Sequence, residues 1–185
     1  MSSVEVIAAL LGVVNVLLVV RRSIWNYPFG LAMVTLYFFV FVDVKLYSDA
    51  LLQIFFFAIN LYGWWNWARA DKVDDGVAVE LMGTRARALW LGGTIAVVLV
   101  WGTLMARFTD AAAPFPDAAV AGISVAAQLL QSMRRVESWI LWIAVDVLAI
   151  GLFASRGLYP TTALYALFLV LAVIGLVQWK RKVPS

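Results

Sequence analysis

The heptapeptide GWWNWAR (Gly63–Arg69) closes one apolar run, and a near twin, GLVQWKR (Gly175–Arg181), closes another 112 residues later. At that offset Gly63 falls on Gly175, Asn66 on Gln178, Trp67 on Trp179 and Arg69 on Arg181. Leu46-Tyr47 and Leu158-Tyr159 keep the same register. A pair of arginines, Arg21-Arg22, matches Arg134-Arg135 at an offset of 113, which asks for one small gap. Short matches among apolar residues arise easily by chance, so the repeat needs support from the rest of the chain.

Working outward, seven apolar runs reach bilayer-crossing length, roughly 17–25 residues. They are Val4–Val20, Trp25–Val42, Asp49–Trp67, Leu89–Ala106, Asp117–Met133, Trp139–Ala154 and Thr161–Trp179. Together they use about 140 residues, which leaves short connections and no room for a soluble domain. Composition agrees: the 185 residues are 64% hydrophobic and 14% charged, against about 45–50% and 25% in soluble domains. Mean hydropathy is +0.93. An ordinary soluble protein, a disordered one and a nucleic-acid binder are all excluded, and a net charge of +3 is small. Backbone polar groups cannot face lipid unpaired, so the expected fold is an all-α membrane protein with seven transmembrane helices. The first run is read as a retained helix and not as a signal peptide, because Arg21 and Arg22 follow it and Glu5 lies near its start.

Charge placement tests the number of spans. If all seven cross, one side holds Arg21, Arg22, Arg69, Lys72, Arg85, Arg87, Arg134, Arg135, Lys180, Arg181 and Lys182. The other holds Lys45, Arg107 and Arg156, a split of 11 against 3 that uses all 14 basic residues. The positive-inside rule then places the carboxyl terminus in the cytoplasm and the amino terminus outside. Adding or removing one span in the middle would scatter the asymmetry. The repeat suggests a 3+1+3 plan with residues about 4–69 as one unit and about 117–181 as the second. Between them, 89–106 would be a linker helix that contains no Asn, Gln, Asp or Glu. Parallel repeats with a substrate site between them are a transporter plan.

Polar residues inside spans are functional candidates by default. Asp146 is the one acidic residue well inside a span, and it follows Trp139 and Trp142 by seven and three positions, on one helical stripe. A carboxylate beside indole faces suits a planar organic cation. The alternative is internal pairing of Asp146 with the tryptophans as an interfacial belt, a reading that fits Trp139 at the span end better than Trp142. Gln53 and Asn60 stand one heptad apart, with Phe56 between them and Trp64 beyond. Such amides either orient a heterocycle or ribose or bond helix to helix. Gln128 is a candidate, Gln131 is read as interfacial, and Asn15 is either site or helix contact. The basic pairs read as topology anchors that touch lipid headgroups. The polar loop Ala70–Thr84 is assigned no chemistry.

Enzyme readings find little. There is no cysteine and no histidine, which removes thiol nucleophiles, thiolate metal sites and the commonest general base. Only one carboxylate lies deep, so an aspartyl dyad is missing. No span holds a lysine for a Schiff base, and no phosphate-binding GxxxxGK[ST] occurs. No catalytic residue, cofactor or metal is expected.

Four stretches in order resemble the PnuC family of bacterial vitamin transporters over nearly the whole chain. They are WNYPFGL (Trp25–Leu31), LYSDALLQIFFFAINLYGWWNW (Leu46–Trp67), ESWILWIAVDV (Glu137–Val147) and GLYPTTALY (Gly157–Tyr165). The resemblance implies a SWEET-like 3+1+3 fold, a central site between the bundles and a homotrimer in the bacterial cytoplasmic (inner) membrane. It implies facilitated diffusion of a vitamin by alternating access, made directional by a cytosolic kinase that acts as a trap and not as a stable partner. Gln53, Asn60, Gln128, Trp139, Trp142 and Asp146 fall in motifs associated with the family's binding region. One departure is Asp146 itself, where some nicotinamide riboside transporters carry Asn. An anionic side chain suits the ring cation of nicotinamide riboside or of thiamine, and neutral riboflavin gains less from it. Nicotinamide riboside is therefore the first expectation and thiamine the alternative. The rival from another class is a non-transporting scaffold or sensor whose polar residues only join helices.

Overall fold

Among the described residues, seven long helices occur where the apolar runs predict them. The computed structural model describes residues 3–43, 47–109 and 113–183; Lys45 and Leu46, used above, lie outside them. The helices are α1 (Ser3–Val20), α2 (Asn26–Asp43), α3 (Tyr47–Ala68), α4 (Thr84–Phe108), α5 (Pro114–Ser132), α6 (Ser138–Ser155) and α7 (Tyr159–Arg181). Pro114 and Pro160 sit in first turns, where a missing N–H leaves no helical bond unmade. The connection between α3 and α4 forms a two-stranded hairpin, β1 (Lys72–Val73) and β2 (Gly76–Val77), with Lys72 opposite Val77 and Val73 opposite Gly76.

Helix packing closes a ring. α1 packs on α2 and α7, α3 on α2 and α5, and α6 on α5 and α7. The order around the ring is therefore α1, α2, α3, α5, α6, α7, and α4 joins it from outside through α5. α4 buries only Thr94 and Gly102 among its residues and leaves Leu89, Leu91, Val97 and Leu99 exposed. An apolar face of that extent suits hydrocarbon and not water.

Five of the seven helices, α1, α2, α4, α6 and α7, are long and apolar enough by length and composition to cross a membrane. The chain is a multi-pass membrane protein. α3 and α5 fall short of the seven crossings expected because they carry the polar load: Gln53, Asn60 and Asn66 on α3, and Asp117, Gln128 and Gln131 on α5. These two helices pack on each other inside the ring, where amides find partners that lipid cannot give.

The spacing of 112 runs through the backbone as well as the sequence. α1 ends with Ser23 N–H donating to Leu18 O and Arg22 N–H to Val19 O, at 2.9 and 2.8 Å. α5 ends with Arg135 donating to Leu130 O and Arg134 to Gln131 O, both at 2.9 Å. These double bonds cap each helix in the Schellman pattern, with Arg22 and Arg134 in the left-handed region at φ 55° and 60°. The structure thus corrects one detail of the sequence alignment. Arg22 corresponds to Arg134, at 112, and no gap is needed.

Aromatic packing follows the same spacing. Tyr27 meets Trp67 edge-on at 5.4 Å and 87°, and Trp139 meets Trp179 edge-on at 5.5 Å and 89°. Gly63 lets Tyr27 approach and Gly175 lets Trp139 approach. A Cβ there would lie 2.5 Å from the Tyr27 hydroxyl or 2.6 Å from the Trp139 ring. The Trp67 indole donates to Gln131 O at 3.2 Å and the Trp179 indole to Val19 O at 3.1 Å. Both bonds join one half of the chain to the other, and Trp67 and Trp179 also touch at 5.9 Å. The carboxyl ends of α1, α3, α5 and α7 are thereby gathered at one end of the ring.

Candidate functional site

α6 carries three of the six predicted site residues, and the structure separates them. Asp146 is 3% exposed, in a helix that packs on α5 and α7. No hydrogen bond or ion pair reaches its carboxylate among the described residues, although Tyr165 of α7 is close enough to feel its charge. Tyr165 in turn packs between Phe153 and Phe168, at 5.3 and 6.0 Å. Trp142, half-buried one turn nearer the start of α6, donates its indole N–H to Gln131 Oε1 at 2.7 Å. Trp139 is fully buried in the aromatic cluster with Trp179, and its indole nitrogen has no hydrogen-bond partner among the described residues. It lies among packed rings at the gathered end, about 10 Å along the axis from Asp146 at 1.5 Å per residue.

Gln131 corrects the sequence reading. Read as interfacial, it is buried and fixes the Trp142 ring, so the donor on Trp142 is used inside the protein. Gln128, three residues earlier, is also buried. On the opposite side of the ring, Asn60 is buried and Asn15 half-buried, and both approach Gly30 of α2. A Cβ on Gly30 would lie 2.9 Å from Asn15 Nδ2 and from Asn60 Oδ1. Asn15 donates to Asn26 O at 2.7 Å and Asn60 to Phe56 O at 2.8 Å, which ties both amide nitrogens to backbone. Gln53 is half-buried near the other end of α3. Tyr165 and Gly30 escaped the sequence reading. An aromatic in an apolar run gives no signal, and the importance of a missing side chain shows only against its neighbours.

Two open cavities of about 310 and 240 Å³ lie elsewhere, along the groove between α4 and α5. Trp90 lines both, and neither touches Asp146, Trp142 or Asn60. Among the described residues no group of three His, Cys, Asp or Glu side chains gathers as a metal site.

A ring of helices with an acidic residue buried well inside α6, buried amides on α3 and α5 and an apolar exposed surface defines a polytopic membrane protein of the carrier type. The nicotinamide mononucleotide transporter family model matches residues 2–181, and the chain belongs to that family. It is 28% identical to the nicotinamide riboside transporter PnuC of Escherichia coli (strain K12), over 97% of this chain and 85% of that one. It is also 28% identical to the riboflavin/roseoflavin transporter RibM of Streptomyces davaonensis, over 95% of this chain and 83% of that one. A crystal structure of the vitamin B3 transporter PnuC superposes with a TM-score of 0.82 at 26% identity, covering 97% of this chain and 81% of its own.

Proposed function

We propose that the protein carries nicotinamide riboside across the bacterial inner membrane by facilitated diffusion, with no catalytic step. One observation carries the reading: the only acidic residue well inside a span is buried, with no hydrogen bond or ion pair to its carboxylate among the described residues. An isolated carboxylate is costly in such surroundings, and a ligand with a cationic ring supplies the missing charge. Trp142, oriented by Gln131, offers the ring a stacking face, while Gln53, Asn60 and Gln128 supply hydrogen bonds to ribose and carboxamide. Trp139 backs the site from the aromatic cluster. Relatives named for nicotinamide riboside support this choice, and thiamine is not favoured. RibM supports riboflavin as the second reading, against which the charge on Asp146 counts.

In this reading all seven helices cross. At 1.5 Å per residue the 22 residues of α3 and 19 of α5 reach about 33 and 29 Å, enough for a core about 30 Å thick. Residues 4–69 and 117–181 form parallel repeats in a SWEET-like 3+1+3 plan, joined by the 89–106 linker. The equivalent bonds at a spacing of 112 support that division. The gathered, arginine-rich end faces the cytoplasm. The assembly is a homotrimer, and a cytosolic kinase traps the vitamin after entry.

Calorimetry on the purified protein with nicotinamide riboside, thiamine and riboflavin tests the assignment. Nicotinamide riboside binds in the expected outcome, and Asp146→Asn weakens it. Binding of riboflavin alone, or affinity untouched by Asp146→Asn, overturns the reading. A proteoliposome flux that ignores an imposed pH gradient is expected for simple facilitation.

A further inference from the structure

The loop that the sequence left without chemistry is bonded to two helix-connecting turns, one in each half of the chain. Its hairpin end docks on the α1–α2 turn: Val77 N–H donates to Arg22 O at 3.1 Å. In return the Arg22 guanidinium donates to Val73 O and Val77 O, both at 3.1 Å. Three residues on, the same loop docks on the α5–α6 turn. Glu80 N–H donates to Arg134 O at 3.1 Å, and Val136 N–H donates to Glu80 O at 3.0 Å. Arg135 adds an ion pair to Glu80 at 2.6 Å. The two anchoring carbonyls, of Arg22 and Arg134, belong to the equivalent left-handed residues of the two halves. Between the two anchors Val79 is completely buried, and the hairpin valine Val77 joins the aromatic cluster.

Glu137 fastens the far end of this segment. Its carboxylate, 7% exposed, accepts from Met82 N–H at 3.0 Å and from the Arg87 guanidinium at 2.8 Å. The other oxygen of Glu137 is buried without a hydrogen-bond partner among the described residues, as are Ser138 Oγ, Trp139 Nε1 and Arg134 Nε. Every such atom found among the described residues lies in this one turn. A buried polar atom without a partner costs free energy, so this turn is held less favourably than a fully bonded one.

We propose that residues 70–83 are a strap across the gathered end of the helix ring, that it releases from the Arg22 and Arg134 turns when that end opens, and that Glu137 is its clasp on α6. Each half of the chain holds the strap by one backbone carbonyl, so the halves cannot part at this end while both bonds stand. The purpose of opening rests on the transport reading; the motion itself does not, and it is measured separately.

The chain has no native cysteine, so engineered ones are unambiguous. Nitroxides on Asp75→Cys in the strap and Arg181→Cys on α7, both exposed positions, report the strap distance in lipid nanodiscs. Two distance populations are expected, with Glu137→Gln raising the longer one about tenfold, the effect of losing one charge-assisted hydrogen bond. A single population unmoved by Glu137→Gln overturns the strap whatever the substrate. In a second arm, Glu80→Cys with Arg135→Cys is oxidised to tether the strap. Flux of nicotinamide riboside should stop and return on reduction, while binding by thermal shift persists. Full flux in the tethered protein also overturns the proposal. If the reduced pair neither binds nor carries nicotinamide riboside, the substrate assignment fails, and the nitroxide distances alone decide the strap.

Discussion

In α1–α3, Tyr27 meets Trp67 edge-on over Gly63; in α5–α7, Trp139 meets Trp179 in the same geometry over Gly175. Outside these contacts the correspondence of side chains breaks. At a spacing of 112, Trp142 stands where the first half has Gly30, Asp146 where it has Val34, Gln131 where it has Val19, and Tyr165 where it has Gln53. Asn60, for its part, meets Ala172 in the second half. The ends do mechanical work that both halves need equally, so the same rings, glycines and capping bonds serve twice. In the function proposed above, the middle faces a ligand that has no two-fold symmetry. One half offers small residues and amides, and the other offers a charge and an indole.

The strongest attack on the shared end is to remove one indole at a time. Trp67→Ala and Trp179→Ala should each cost about 3–5 kcal/mol, the usual range for deleting a buried aromatic, because both rings are 1% exposed or less. Equal losses in detergent unfolding would place the two halves on the same footing. A loss at one position alone would show that the geometric likeness carries no energetic one. The glycines sharpen this at smaller scale. Gly63→Ala and Gly175→Ala should each cost about 1–3 kcal/mol through overpacking, since the rings they meet are 2% exposed and cannot retreat. By contrast Gly92→Ala, with nothing within 4 Å, should not lower stability.

The middle is tested by ligand affinity. Trp142→Ala should weaken nicotinamide riboside more than about tenfold, given about 2 kcal/mol for a desolvated cation–π contact. Trp142→Phe keeps a ring but loses the bond to Gln131, and an intermediate loss is expected. Val34→Ala, at the counterpart of Asp146, should leave affinity unchanged while lowering stability. Calorimetry on the same preparations separates the two effects, and a fall in affinity at Val34 equal to that at Trp142 would end the proposed asymmetry.

Much of this frame was legible before any coordinates. Helix ends fall within a few residues of the apolar runs, because the edge of a hydrophobic stretch and the end of a bilayer-length helix have one cause. α4 is the exception: it starts at Thr84 and not near Leu89, since Arg85 and Arg87 prolong the helix beyond its apolar part. The spacing of 112 was visible in Trp67 and Trp179, while the arginine pairs were aligned one residue off. Two adjacent arginines align equally well either way, and only the left-handed φ of Arg22 and Arg134 tells them apart. Polar side chains were singled out as candidates by their cost in apolar surroundings. Their partners were not: the bond from Trp142 to Gln131 and the meeting of Asn15 with Asn60 over Gly30 depend on which helices are neighbours. The loop at 70–83 was opaque for a related reason. Its bonds are mostly backbone to backbone, and backbone leaves no mark in side-chain pattern.

The smallest predicted effect comes from an exposed difference between the halves. Lys182 of the second half corresponds to Ala70 of the first, and it pairs with Asp74 of the strap at 2.5 Å. The Lys182 hydrogen bond and charge hold the Asp74 carboxyl below its ordinary range. A carboxyl lowered in the folded state contributes stability above the ordinary carboxylate range and loses it as pH falls through the lowered value. Any difference between Lys182→Ala and the parent should therefore exist at neutral pH, shrink under strong acid, and shrink also in high salt, which screens exposed pairs. Melting curves at neutral and acid pH measure it directly. A neutral-pH loss as large as that of the glycine variants would mean that the strap is held by this surface pair, and not by the Arg22 and Arg134 carbonyls that the two halves share.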